Sequence, residues 1–85
     1  MKTFTYTIND KNGLHARPAG NLSKLSKTFS SRCFLKKGDK ETELTKLIAL
    51  MGMGVKKGDE VTIRVEGEDE EAACNAIKEF FSSNL

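Results

Sequence analysis

The chain has 85 residues, 14 of them Lys or Arg and 12 Asp or Glu, for a net charge of +2. This length makes one domain, residues 1–85, with one core and no room for an enclosed active-site cavity, so its chemistry must take place on the surface. The near balance of charge gives no argument for a nucleic-acid partner.

Residues 2–8 place Phe4, Tyr6 and Ile8 on one face with threonines between, the alternation of a half-buried strand. Such alternation is unlike the continuous apolar run of a secretion signal. No stretch approaches the ~20 apolar residues that cross a bilayer, so a cytoplasmic chain without membrane insertion is expected. Asn9 to Gly13 is a turn-rich loop. From Ala16 to about Lys27, Ala19, Leu22, Leu25 and then Phe29 recur at helical spacing, and Ser30-Ser31 breaks the pattern. Residues 32–37 and about 40–44 read as strands joined by a tight turn at Gly38-Asp39. Thr45 to about Met51 predicts a short apolar helix that Gly52 and Gly54 end.

After a turn at residues 56–59, Val61, Ile63 and Val65 mark a strand over residues 60–66. The last helix is expected from about Asp69 to Ser82. Asp69, Glu70 and Glu71 in its first turn complement the helix dipole, and Ala73, Ala76, Ile77, Phe80 and Phe81 form its apolar stripe. The order βαββαβα predicts an α+β fold, a two-layer sandwich in which three helices cover the buried face of a four-stranded antiparallel sheet.

Cys33 and Cys74 are far apart in sequence and lack metal-ligand spacing, which predicts two buried, reduced thiols. No metal and no cofactor is expected. Gly52-Met53-Gly54 follows a helix instead of opening one, so it is not a dinucleotide loop. Ser23 and Ser26 are expected on the solvated face of the first helix.

The single histidine, His15, lies in Gly13-Leu14-His15-Ala16-Arg17-Pro18-Ala19. A lone histidine is usually a solvated surface residue, but this one stands where a glycine-containing loop meets the first helical residue. As N-cap it leaves the backbone N–H groups of Ala16 and Arg17 free to hold an anion. Pro18 suits the first helical turn, where its missing N–H costs nothing. Arg17 adds a planar cation able to grip phosphate oxygens in pairs. A neutral imidazole is itself a nucleophile, and positioning with electrostatics carries phosphoryl transfer.

The segment Gly13–Ala19 resembles the active-site signature of HPr, the phosphocarrier family of the bacterial phosphoenolpyruvate-dependent sugar phosphotransferase system. The resemblance extends over essentially the whole chain, through the turn at Gly38-Asp39, the apolar helix Leu47–Met51 and Gly54-Val55. It implies an open-faced sandwich and phosphorylation of His15 at Nδ1, with Arg17 as the phosphate partner. It also implies enzyme I as donor and IIA-type domains of sugar transporters as acceptors. Such a protein is a carrier in a relay and not a stand-alone enzyme, and it docks as a monomer. The short helix is the family's docking patch, which assigns partner contacts to Leu47, Ile48 and Met51, flanked by Gly20 and Asn21.

Two departures are informative. Many members carry a regulatory serine at the start of the short helix, where this chain has Lys46. Gly20 and Asn21 stand where members often have Thr and a larger apolar residue, which leaves open a paralogue serving a nitrogen branch or a single pathway. A binding-only module is a further alternative. An RNA-binding sandwich would need exposed aromatics, for which Phe34 alone is a candidate.

Overall fold

Period-two alternation of apolar side chains builds the sheet, and helical periodicity builds the layer that covers it. The computed structural model describes residues 1–85. Its elements are β1 (Lys2–Thr7), α1 (Ala16–Ser26), β2 (Arg32–Lys37), β3 (Lys40–Glu43), α2 (Leu47–Met51), β4 (Glu60–Glu66) and α3 (Glu70–Asn84). The strands form one antiparallel sheet in the order β1-β4-β2-β3. This is the predicted α+β sandwich, open on one face.

The register explains the core. Val61, Ile63 and Val65 of the central strand β4 are fully buried, and Ile63 stands between Phe4 of β1 and Leu35 of β2. Ala19 and Leu22 of α1, Leu50 of α2, and Ala73, Ile77 and Phe81 of α3 close over this face. The Phe81 ring meets Phe4 and Tyr6 edge-on, with centroids 5.8 and 5.4 Å away, an arrangement that adds about 0.5–1.5 kcal/mol per pair beyond area burial. The β2–β3 turn has Gly38 at φ 59, the left-handed geometry that a two-residue hairpin with Gly first requires.

On the open face both arginines are paired. Arg32 and Arg64 lie over the Phe34 ring at 5.1 and 4.1 Å. Arg32 pairs with Glu43, and Arg64 pairs with Glu41 and Glu66. Two guanidinium groups therefore cover the one aromatic that base stacking would have used.

The structure corrects several local expectations. The short helix starts at Leu47, not Thr45, because the Thr45 carbonyl accepts the Ser23 hydroxyl and the first helical bond runs from Leu50 N–H to the Lys46 carbonyl. Ser23 and Ser26 are buried instead of solvated. Ser23 faces Thr45 ahead of α2, and Ser26 bonds back to the Ser23 carbonyl at 2.7 Å. The last helix continues to Asn84, since nothing in Ser82-Ser83-Asn84 interrupts its bonding, and the Leu85 N–H reaches the Phe81 carbonyl at 2.8 Å. Ala76 and Phe80 are only half-buried, and Cys74 joins the buried stripe.

Asp69 is the N-cap of α3, yet its carboxylate does not cap that helix. It accepts the N–H groups of Ser30 and Ser31 at 2.9 and 2.8 Å and the Ser31 hydroxyl. These bonds tie the α1–β2 turn to the start of α3, and they hold the carboxyl below its usual range, the Ser31 hydroxyl foremost. A carboxylate with a depressed folded pKa contributes stability above its unfolded value, and that contribution is lost as pH falls through the folded value. We therefore expect the urea midpoint of the wild type to fall on acidification below pH ~4. Asp69→Asn should be less stable at pH 7 and show a shallower acid limb in urea titrations over the same range.

Candidate functional site

The site begins with a backbone constraint at Gly13. Its φ is 64, and a Cβ there would lie 2.4 Å from the Val55 carbonyl oxygen and 2.8 Å from the Lys56 Cα. Only glycine combines that conformation with that approach. Next to it the Leu14 N–H bonds the same Val55 carbonyl at 3.1 Å, and the Leu14 side chain is buried. The chain thus arrives at α1 from a fixed direction.

His15 is the N-cap of α1, with extended backbone (φ −84, ψ −176). Its carbonyl accepts the Ala19 N–H at 3.0 Å. Its side chain makes no cap hydrogen bond, and the ring is half-exposed. Ala16 and Arg17 present backbone N–H groups with no partner inside the fold. The first turn carries no acidic side chain, so nothing on the helix competes with an external anion. Pro18 is buried in that turn, where its ring fixes the helix start. Arg17 is exposed and forms no ion pair.

An open cleft of about 150 Å³ is lined by His15, Arg17, Pro18, Asn21 and Asn84. It combines a nucleophilic ring, a free guanidinium and a helix N-terminus, the components needed to receive a phosphoryl group and hold its charge. The predicted His15, Arg17, Pro18 and Asn21 are therefore brought together. Gly20 sits beside them on α1 in open space, where an added Cβ would touch nothing within 4 Å.

The α2 residues do not line this cleft. Leu47 is half-buried, whereas Ile48 is 82% and Met51 42% exposed, an apolar surface on a helix that packs against α1. Lys46 is the exposed N-cap of α2, and its charge bears on Glu43, helping Arg32 to lower that carboxyl.

Two neighbours of His15 escaped sequence reasoning. Asn84 reaches the cleft from the far end of the chain, and no local signal could place it there. Asp10, read only as part of a turn, puts Oδ2 at 3.8 Å from Nε2 of His15. The two thiols stand apart from this chemistry. Cys33 and Cys74 are buried and free, and burial pushes the Cys33 thiol up to about 11.

Fold and site together describe a class: small α+β sandwiches that present one imidazole at a helix N-terminus on an otherwise closed scaffold. The family model of the phosphotransferase-system HPr component phosphorylation site matches residues 2–83. The phosphocarrier protein HPr of Mycoplasma capricolum is 40% identical over 79 residues, covering 93% of this chain and 89% of that protein. The phosphocarrier protein HPr of Lysinibacillus sphaericus is 38% identical over 77 residues, covering 91% and 88% of the two chains. A crystal structure of HPr from Thermoanaerobacter tengcongensis superposes with a TM-score of 0.93 at 36% identity, covering 98% of this chain and 93% of that one. The chain belongs to the HPr family.

Substituting Gly13 tests the constraint on which the site rests. Gly38 has a similar φ but open space around it, so Gly38→Ala should cost about 1–2 kcal/mol for the left-handed backbone alone. Gly13→Ala adds a steric clash and should exceed that loss in equilibrium urea unfolding, with the largest amide shifts at Leu14 to Arg17.

Proposed function

We propose that this chain is a cytoplasmic histidine phosphocarrier of a phosphoenolpyruvate-dependent sugar phosphotransferase system. It accepts a phosphoryl group from phosphorylated enzyme I on His15 and passes it to IIA-type domains of sugar transporters. The observation that carries this reading is the meeting of His15, the free Arg17 guanidinium and the unpaired Ala16 and Arg17 amides at the start of α1. Membership of the HPr family supports the same assignment.

In the transfer, Nδ1 of His15 attacks phosphorus as the bond to the donor breaks. Negative charge on the phosphoryl oxygens then falls to the Arg17 guanidinium and to the two N–H groups at the helix start. The reaction reverses toward the acceptor with the same groups in place. The exposed α2 residues Ile48 and Met51, with Leu47, Gly20 and Asn21, form the surface on which monomeric carrier and partner meet. Methionine suits a surface that must fit more than one partner. Lys46 at the N-cap of α2 offers no hydroxyl, so this chain escapes the serine kinase that acts on other members at that position.

Intact-protein mass spectrometry after incubation with enzyme I and phosphoenolpyruvate should show one acid-labile phosphoryl group on the wild type and none on His15→Ala. Arg17→Ala should remain folded and slow transfer by about 10- to 100-fold, the weight of charge-assisted hydrogen bonds. A binding-only protein would keep its activity as His15→Ala. Incubation with HPr serine kinase and ATP should leave the mass unchanged.

A further inference from the structure

The geometry points to Asp10 as a positioning residue for His15: its carboxylate faces Nε2, keeps the ring proton on that nitrogen and leaves Nδ1 as the nucleophile. The inference rests on the phosphocarrier reading for its consequence in transfer, and it assigns a role to a residue outside the His-Ala-Arg-Pro segment.

Asp10 is fixed at three points. Its backbone N–H donates to the Leu85 oxygen at 2.8 Å, and its carbonyl accepts the Gly13 N–H at 2.9 Å. Its Oδ2 accepts the Asn12 N–H at 2.9 Å. The same Oδ2 lies 3.8 Å from Nε2 of His15, beyond hydrogen-bond reach and an ion pair only once the ring is charged. Contacts of this kind are commonly long in the resting site and tighten as charge develops. The carboxylate is therefore held in place by the loop and not by the ring, and its field favours the proton on the nearer ring nitrogen.

Charge placement agrees with this role. Asp10 does not line the cleft that His15 shares with Arg17, and Asn21 and Asn84, which do, are neutral. An incoming phosphoryl group meets the guanidinium while the carboxylate stands on the Nε2 side. When Nδ1 attacks, the N–P bond forms as the donor's bond to phosphorus breaks, and that electron pair returns to the donor. The His15 ring becomes positive and keeps its proton on Nε2, opposite the Asp10 carboxylate. Asp10 takes up no proton; it orients the ring and stabilises its charge.

The test is a charge series at one position, Asp10→Glu, Asp10→Asn and Asp10→Lys, read by 15N NMR of the neutral His15 ring in the unphosphorylated protein. Asp10→Asn keeps an oxygen for the Asn12 N–H, and the amide shifts of Gly13 and Leu14 report whether the loop is intact. The Nε2–H tautomer should decline from Asp and Glu through Asn to Lys. In Asp10→Asn the tautomer ratio should fall by about two- to fivefold, the lower end of the net weight of one hydrogen bond. With enzyme I as catalyst and the carrier as its substrate, kcat should fall by a similar factor with KM for the carrier unchanged, and Asp10→Glu should recover most of it. A tautomer ratio that stays constant in Asp10→Asn with an intact loop overturns the inference. Because the NMR series uses unphosphorylated protein, a wild type that accepts no phosphoryl group would sink the carrier reading while the series still decides the role of Asp10.

Discussion

Gly13 presses its backbone onto the Val55–Lys56 segment, and the placement of the site follows from that contact. The Val55 carbonyl oxygen lies too close for a Cβ on residue 13, and it also accepts the Leu14 N–H. With Leu14 locked into the core, His15 stands at the surface as the N-cap of α1. A scaffold too small to enclose a cavity thus fixes the geometry of a surface site through one close backbone approach and one buried side chain. The end of α3 closes the same corner, since the Leu85 oxygen accepts the Asn9 and Asp10 N–H groups and Asn84 lines the cleft.

Charge is distributed unevenly between the two faces. On the open sheet face Arg32 and Arg64 are matched by Glu41, Glu43 and Glu66. At the loop before β4, Lys37 is matched by Asp59 at 2.8 Å, which lowers the Asp59 carboxyl. Exposed pairs of this kind are screened by water and salt, so their main effect is to offset the two arginine charges locally. Arg17 has no such partner, and the amides behind it are free.

The helical layer divides its labour in a similar way. α1 and α3 bury regular stripes and hold the sheet, whereas α2 has five residues and buries Leu50 fully among them. Its Ile48 and Met51 are exposed and contribute little to the core.

Much of this was legible in the chain. Alternation at Phe4, Tyr6 and Ile8 and at Val61, Ile63 and Val65 gave strand type and inward face, because a strand's period of two sorts side chains between faces without reference to partners. The helix-start chemistry of His15, Arg17 and Pro18 was equally local, since capping and dipole effects act within one turn. Strand order, the burial of Ser23 and Ser26, the reach of Asp69 to Ser30 and Ser31, and the arrival of Asp10 and Asn84 beside His15 were not. Each depends on contacts between segments distant in sequence or on which face of a helix meets a neighbour, and no local pattern encodes those. The sequence alone determined that His15, Arg17 and Pro18 meet at a helix start, because that chemistry acts within one turn; only tertiary packing decided which distant groups surround them.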